Sequence, residues 1–171
     1  MGITATRLTY ADYMCSPEER RRYEILDGEK IYMTNPTIRH QKVQQNLFVL
    51  LRSQLHTGLS GELLIAPIDV LIHRNPLQTR QPDILYISEE RLGGRSFDNP
   101  APLEPAPELV VEILSRSDTR RVLRDKLTDY AYVDVLECWV VSPGEQTVEV
   151  IRLSANGAES SGMYSVGDKA I

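Results

Sequence analysis

Residues Leu109-Val110-Val111-Glu112-Ile113-Leu114 form a six-residue run that is apolar except at Glu112. A run of this length without polar alternation predicts a strand covered on both faces, at the centre of a sheet. Glu112 is the anomaly within it. An ionised carboxylate buried without partners costs several kcal/mol, so a chain keeps one only where a metal, a hydrogen-bond network or a counter-charge compensates.

Downstream, Ser117 or Asp118 is expected to cap a helix reaching about Val133, with Val122, Leu123, Leu127, Tyr130 and Ala131 at apolar positions. A strand follows over Glu137 to Val141. The turn residues Ser142-Pro143-Gly144-Glu145 lead into another over Thr147 to Leu153, and the tail from Ser154 is polar and weakly patterned. Upstream, residues 93–107 hold two Gly and four Pro, which predicts a long surface connection. Before it come three expected strands, Glu62 to Ala66, Ile68 to Ile72 and Asp83 to Ile87, with a mobile polar loop around Asn75-Pro76.

Val43, Leu47, Leu50, Leu51 and Leu55 recur at helical spacing and predict an amphipathic helix from Ile38 to about His56, closed by Gly58. Ahead of it, Tyr23-Glu24-Ile25-Leu26 and Lys30-Ile31-Tyr32-Met33 flank Asp27-Gly28, a hairpin signature. Thr9 is placed to cap a short helix over Tyr10 to Met14, which Ser16-Pro17 interrupts. The expected fold is therefore mixed α/β, with strands in a largely antiparallel run and a helix bridging two later strands.

The chain has 171 residues, 42% hydrophobic and 25% charged, the size and balance of one globular domain rather than of a disordered or membrane-spanning chain. Nineteen Lys and Arg against 24 Asp and Glu leave a net charge of −5, so attraction to nucleic acid has to come from a local patch. Cys15 and Cys138 stand far apart, which argues against a thiolate zinc site or a disulfide scaffold. Residues Met1 to Tyr10 lack an apolar core of the signal-peptide kind, and the expected compartment is a reducing cytoplasm.

Two further residues join Glu112. Asp83 follows Pro82 at the head of the apolar strand Ile84-Leu85-Tyr86-Ile87, and Lys126 lies on the apolar face of its helix with Val122 and Leu123. The plainer interpretation is a structural Glu112–Lys126 ion pair, with Asp83 merely opening a strand. Taken together, two carboxylates on neighbouring strands and a buried lysine suit divalent-metal-dependent phosphodiester hydrolysis: oxygen ligands for Mg²⁺ or Mn²⁺, and a cation to orient water or to neutralise developing charge.

Pro82-Asp83, Glu112-Ile113-Leu114-Ser115, Lys126 with Tyr130, Glu137-Cys138-Trp139, the stretch Tyr23 to Glu29 and His40 together resemble the Uma-type family of restriction-endonuclease-like proteins, within the PD-(D/E)XK nuclease superfamily. The resemblance spans about residues 8–153. It implies a central mixed sheet of about four strands with helices on both sides, DNA as substrate, Mg²⁺ or Mn²⁺ as cofactor and a homodimer, since two cuts need two sites. It also implies Asp83 and Glu112 as metal-binding acids with the Ile113 carbonyl as a further ligand. Leu114 stands where the superfamily motif usually has lysine, so that role passes to Lys126. Glu24 matches an early acidic position and joins Asp83, Glu112 and Lys126 in the implied catalytic set, and His40, Tyr130 and Ser115 would support the site. The chain departs from the family pattern at Arg116, Val122, Asp134 and Ser142.

Arg116, Arg120, Arg121 and Arg124 form the densest basic group, and Arg120 and Arg124 share a helix face that could meet DNA phosphates or simply face solvent. Three readings follow: a metal-dependent endonuclease, a nuclease-fold protein of weak or no activity that binds or regulates, or a purely structural core with a buried ion pair.

Overall fold

A computed structural model describes residues 7–17, 19, 21–55, 60–95, 98, 102–115 and 118–168. The apolar run around Glu112 is strand β7 (Leu109–Ile113), third from one edge and fourth from the other in a six-stranded sheet ordered β10-β9-β8-β7-β6-β3. The other members are β3 (Gly61–Ile65), β6 (Ile84–Ser88), β8 (Glu137–Ser142), β9 (Thr147–Ser154) and β10 (Gly157–Ser165). Among the described strands of this sheet, β7 and β8 alone pair in parallel, Val111 opposite Trp139; β6 pairs with β7 antiparallel, Ile84 opposite Val111. The single parallel pair follows from the crossover helix α4 (Arg120–Tyr132), because parallel neighbours cannot be joined by a tight turn.

Both faces of β7 are covered, as its composition required. Val111 and Ile113 pack with Val43, Leu47, Phe48 and Leu51 of helix α2 (Ile38–Leu55), while Val110 packs on the opposite side with Leu123, Leu127, Tyr130 and Ala131 of α4. Period-two alternation thus turns Val111 and Ile113 toward α2 and Glu112 toward α4. Glu112 ends up 6% exposed.

A second sheet, ordered β2-β1-β5-β4, consists of β1 (Tyr23–Leu26), β2 (Glu29–Tyr32), β4 (Val70–Arg74) and β5 (Leu77–Arg80). Asp27 (φ 52°) and Gly28 (φ 78°) make the hairpin turn, both left-handed as this type of loop demands. Gly28 is further constrained because a Cβ there would sit 2.7 Å from that of Arg7. Helix α1 (Tyr10–Cys15) begins with a capping box between Thr9 and Asp12, and a one-turn helix α3 (Glu89–Leu92) follows β6.

Several expectations are corrected. The stretch around Asn75-Pro76 is not a free loop: it is the turn between β4 and β5, and Leu77, Thr79, Arg80 and Gln81 are buried. The polar residues of β5 are buried because they bond to other buried polar groups, which no hydropathy pattern reveals. The tail after Ser154 forms β10, an exposed edge strand held by its ladder to β9. The main sheet has six strands rather than about four. Thr119, not Ser117 or Asp118, caps α4; Asp118 instead accepts the Ser115 N–H, and Ser117 lies outside the described residues. Leu50 and Val122, read as apolar-face positions, are 63% and 40% exposed. Gly58 lies outside the described residues. No helix among those described is long and apolar enough to cross a membrane.

Candidate active site

The site forms where the two sheets meet, between the ends of β5, β6 and β7 and the inner face of α4. Glu112 points from β7 at α4 and accepts hydrogen bonds on both oxygens: Lys126 Nζ donates to Oε2 at 2.7 Å and the Tyr130 hydroxyl to Oε1 at 2.5 Å. Lys126 and Tyr130 lie one helical turn apart, so both reach the same carboxylate. Lys126 Nζ is also 3.4 Å from Oε1 of Glu24 on β1. Burial works against the Lys126 ammonium, but the Glu112 and Glu24 carboxylates outweigh it and hold its pKa above that of an ordinary lysine. Burial pushes the Glu112 carboxyl up, with Lys126 pulling against it.

Asp83 sits at the head of β6, its own N–H bonded to the Val111 carbonyl. Its Oδ2 accepts the Ile113 N–H at 2.8 Å and lies 3.2 Å from His40 Nε2, so both of these contacts fall on one oxygen and Oδ1 is outside them. Gln44 Nε2, one turn along α2 from His40, donates to the Asp83 carbonyl. Through the Ile113 N–H, Asp83 is tied to the residue next to Glu112, and its charge acts on both Glu112 and Lys126. His40 Nδ1 and Arg22 Nη2 are buried without a hydrogen-bond partner.

Of the residues singled out in the sequence, the structure brings together Glu24, His40, Asp83, Glu112, Ile113, Lys126 and Tyr130. It does not bring Ser115 into the cluster: that residue is exposed, and its hydroxyl donates to Asp118. Arg120 and Arg124 are exposed on α4, and Arg116 lies outside the described residues. The sequence reading missed Arg80, Gln81 and Asp129. Arg80, 4% exposed, donates from Nη1 to Glu24 Oε2 at 2.8 Å and from Nε to Asp129 Oδ2 at 2.6 Å. Gln81 offers its backbone N–H to Glu24 Oε1 at 3.1 Å. The only signal for them was their nearness to Pro82-Asp83 and, for Asp129, a place three residues after Lys126.

His40 gives the site a pH signature. Its hydrogen bond to Asp83 raises its pKa above the ordinary value near 6.5, against the opposing effect of burial. A group raised on folding stabilises fully below its unfolded pKa and loses that contribution as pH rises through its folded pKa. The stability difference between wild type and His40→Gln is therefore largest below about pH 6.5 and shrinks on the alkaline side. Urea unfolding of both proteins from pH 5.5 to 9 checks this, and a difference that grew with pH would contradict it.

A mixed sheet with helices on both faces, carrying buried acids and a lysine at its centre, is an architecture this protein shares with a nuclease fold of known structure. The chain superposes on the crystal structure of a "putative nuclease belonging to DUF820" from Anabaena variabilis ATCC 29413 with a TM-score of 0.76 at 19% identity, covering 96% of this chain and 88% of that one. It belongs to the Uma2 family, described as "Putative restriction endonuclease", whose model matches residues 10–168. No curated protein matches the chain.

Proposed function

We propose that this protein is a metal-dependent endonuclease that hydrolyses phosphodiester bonds of DNA, acting in the cytoplasm as a homodimer. The observation that carries the reading is the convergence of Asp83, Glu112, Glu24 and Lys126 from four different elements into one buried cluster. With Asp129 included, the acids outnumber Arg80 and Lys126, a surplus of negative charge that suits a divalent cation.

The donor set fits Mg²⁺ or Mn²⁺. Asp83 and Glu112 would offer hard oxygen ligands and the Ile113 carbonyl a third, while no group of three or more His, Cys, Asp or Glu that could hold a metal ion is found among the described residues. When bound, the cation supplies Lewis acidity and a water of lowered pKa. Lys126, held protonated, orients the attacking water or neutralises charge on the phosphorane. Glu24 and Tyr130 hold Lys126 and Glu112 in place, and His40 orients Asp83 through Oδ2. Arg120 and Arg124 offer charge for phosphates on the exposed face of α4.

One observation favours a second reading, a nuclease-fold protein of weak or no activity that binds or regulates: both oxygens of Glu112 are already engaged, by Lys126 and Tyr130. A plasmid-nicking assay separates the two. The endonuclease cleaves with Mg²⁺ or Mn²⁺ and stops with EDTA, and Lys126→Met reduces the rate about 10²–10³-fold, the usual effect of deleting a preorganised charge-stabilising donor. Absence of cleavage on plasmid, linear and single-stranded DNA with either metal overturns the reading.

A further inference from the structure

Five charged side chains lie in an unbroken line, Asp129–Arg80–Glu24–Lys126–Glu112, half-buried at Asp129 and buried at the other four, with contacts of 2.6, 2.8, 3.4 and 2.7 Å. Stability alone does not explain such a line, because buried ion pairs replaced by well-packed apolar groups usually leave a protein as stable or more so. Lys126 sits between two carboxylates and is nearer Glu112 than Glu24. Arg80 touches neither Lys126 nor Glu112, yet it controls what competes for that lysine. Its Nη1 engages Glu24 Oε2, drawing the Glu24 charge away from Lys126, while its Nε grips Asp129, three residues beyond Lys126 on the same helix. One planar guanidinium therefore fixes β1 and α4 relative to each other at the turn that carries the lysine.

We infer that Arg80 is a positioning residue: it directs Lys126 onto Glu112 by holding Glu24 and Asp129 in a two-pronged grip. This deepens the nuclease reading and rests on it for its consequence in the reaction. Without Arg80, Glu24 Oε2 loses its partner and the buried carboxylate keeps only the Gln81 N–H and Lys126 on Oε1, so the ammonium swings toward it. Lysine carries the charge but lacks the planar fork, so it engages Glu24 or Asp129 and not both.

The test compares wild type with Arg80→Met, Arg80→Lys and Asp129→Asn. In Mg²⁺-dependent DNA cleavage, Arg80→Met is expected to lower kcat about 10–100-fold with KM for DNA nearly unchanged, as for other partners that orient a site from behind. Arg80→Lys recovers part of the loss. Asp129→Asn, which leaves Arg80 and every charge next to Lys126 in place, gives a smaller fall in kcat and guards against an Arg80 variant that fails to fold. Crystal structures of the folded variants give the second readout: the Lys126 Nζ–Glu112 Oε2 distance lengthens from 2.7 Å while that to Glu24 shortens from 3.4 Å. Lowered melting temperatures with kcat and both distances unchanged would show that Arg80 only braces the fold. Should wild type cleave no DNA, the nuclease reading falls by itself, and the two distances still decide whether Arg80 places Lys126.

Discussion

Glu112→Ala destabilises the protein by about 3–5 kcal/mol, the usual consequence of removing one partner from a buried ion pair. The substitution leaves the Lys126 ammonium facing only Glu24, 3.4 Å away, and strands the hydroxyl of the fully buried Tyr130. Domains of this size are stable by about 5–15 kcal/mol, so the variant approaches unfolding at room temperature. The triple change Glu112→Leu, Lys126→Met, Tyr130→Phe removes donors and acceptors together and should recover most of the loss, since no charge or hydroxyl is then left without its partner. Glu24 keeps its bonds to Arg80 and Gln81 in that protein. Urea unfolding of the single and triple variants decides the matter: a triple variant no more stable than Glu112→Ala would mean that the cluster contributes packing rather than charge pairing. Both variants should be inactive, which separates the stability of the site from its chemistry.

Asp83→Asn has the opposite profile, a large loss of activity with little loss of fold. Asparagine retains the shape and an oxygen to accept the Ile113 N–H but loses the charge facing His40, so at a pH where His40 is neutral the expected cost is that of weakened hydrogen bonds, about 1 kcal/mol. Cleavage, in contrast, loses a carboxylate proposed to bind the cation. Metal-ion stabilisation of a developing charge is worth several kcal/mol, so the rate should fall about 10³-fold or more. Plasmid nicking at saturating Mg²⁺ and Mn²⁺ measures the first effect, and urea unfolding the second. A variant that cuts as fast as wild type would remove Asp83 from the chemistry and turn the site reading toward the binding-module alternative.

The contrast between these two residues reflects how differently each was visible in the sequence. Glu112 stood out because a single charge within an otherwise apolar strand has no inexpensive explanation, and the structure supplies its partners from α4. Lys126 and Tyr130 were legible for a related reason, their place on the inward stripe of an amphipathic helix. The hairpin, α2, β7, α4 and β8 were likewise predictable, because their residues repeat with a period set by local geometry: two for strands, 3.6 for helices. Arg80 and Gln81 carried no such mark. They occur in a polar run, Gln78-Thr79-Arg80-Gln81, that resembles a solvated loop until Glu24 and Asp129 are brought against it from 56 residues before and 49 residues after Arg80.

What sequence alone carries about this protein is its class of fold, its central strand and the acids and lysine at its centre, since burial of apolar periodic surface dominates folding and leaves its trace locally. Tertiary structure alone decided that the polar strand β5 is buried, that β10 closes one edge of the sheet, that Ser115 faces solvent, and that Arg80 stands behind Glu24. Those outcomes depend on pairing between groups far apart in the chain. A hydrogen bond or an ion pair takes its value from a partner and from the dielectric around both, and neither is written next to the residue that makes it.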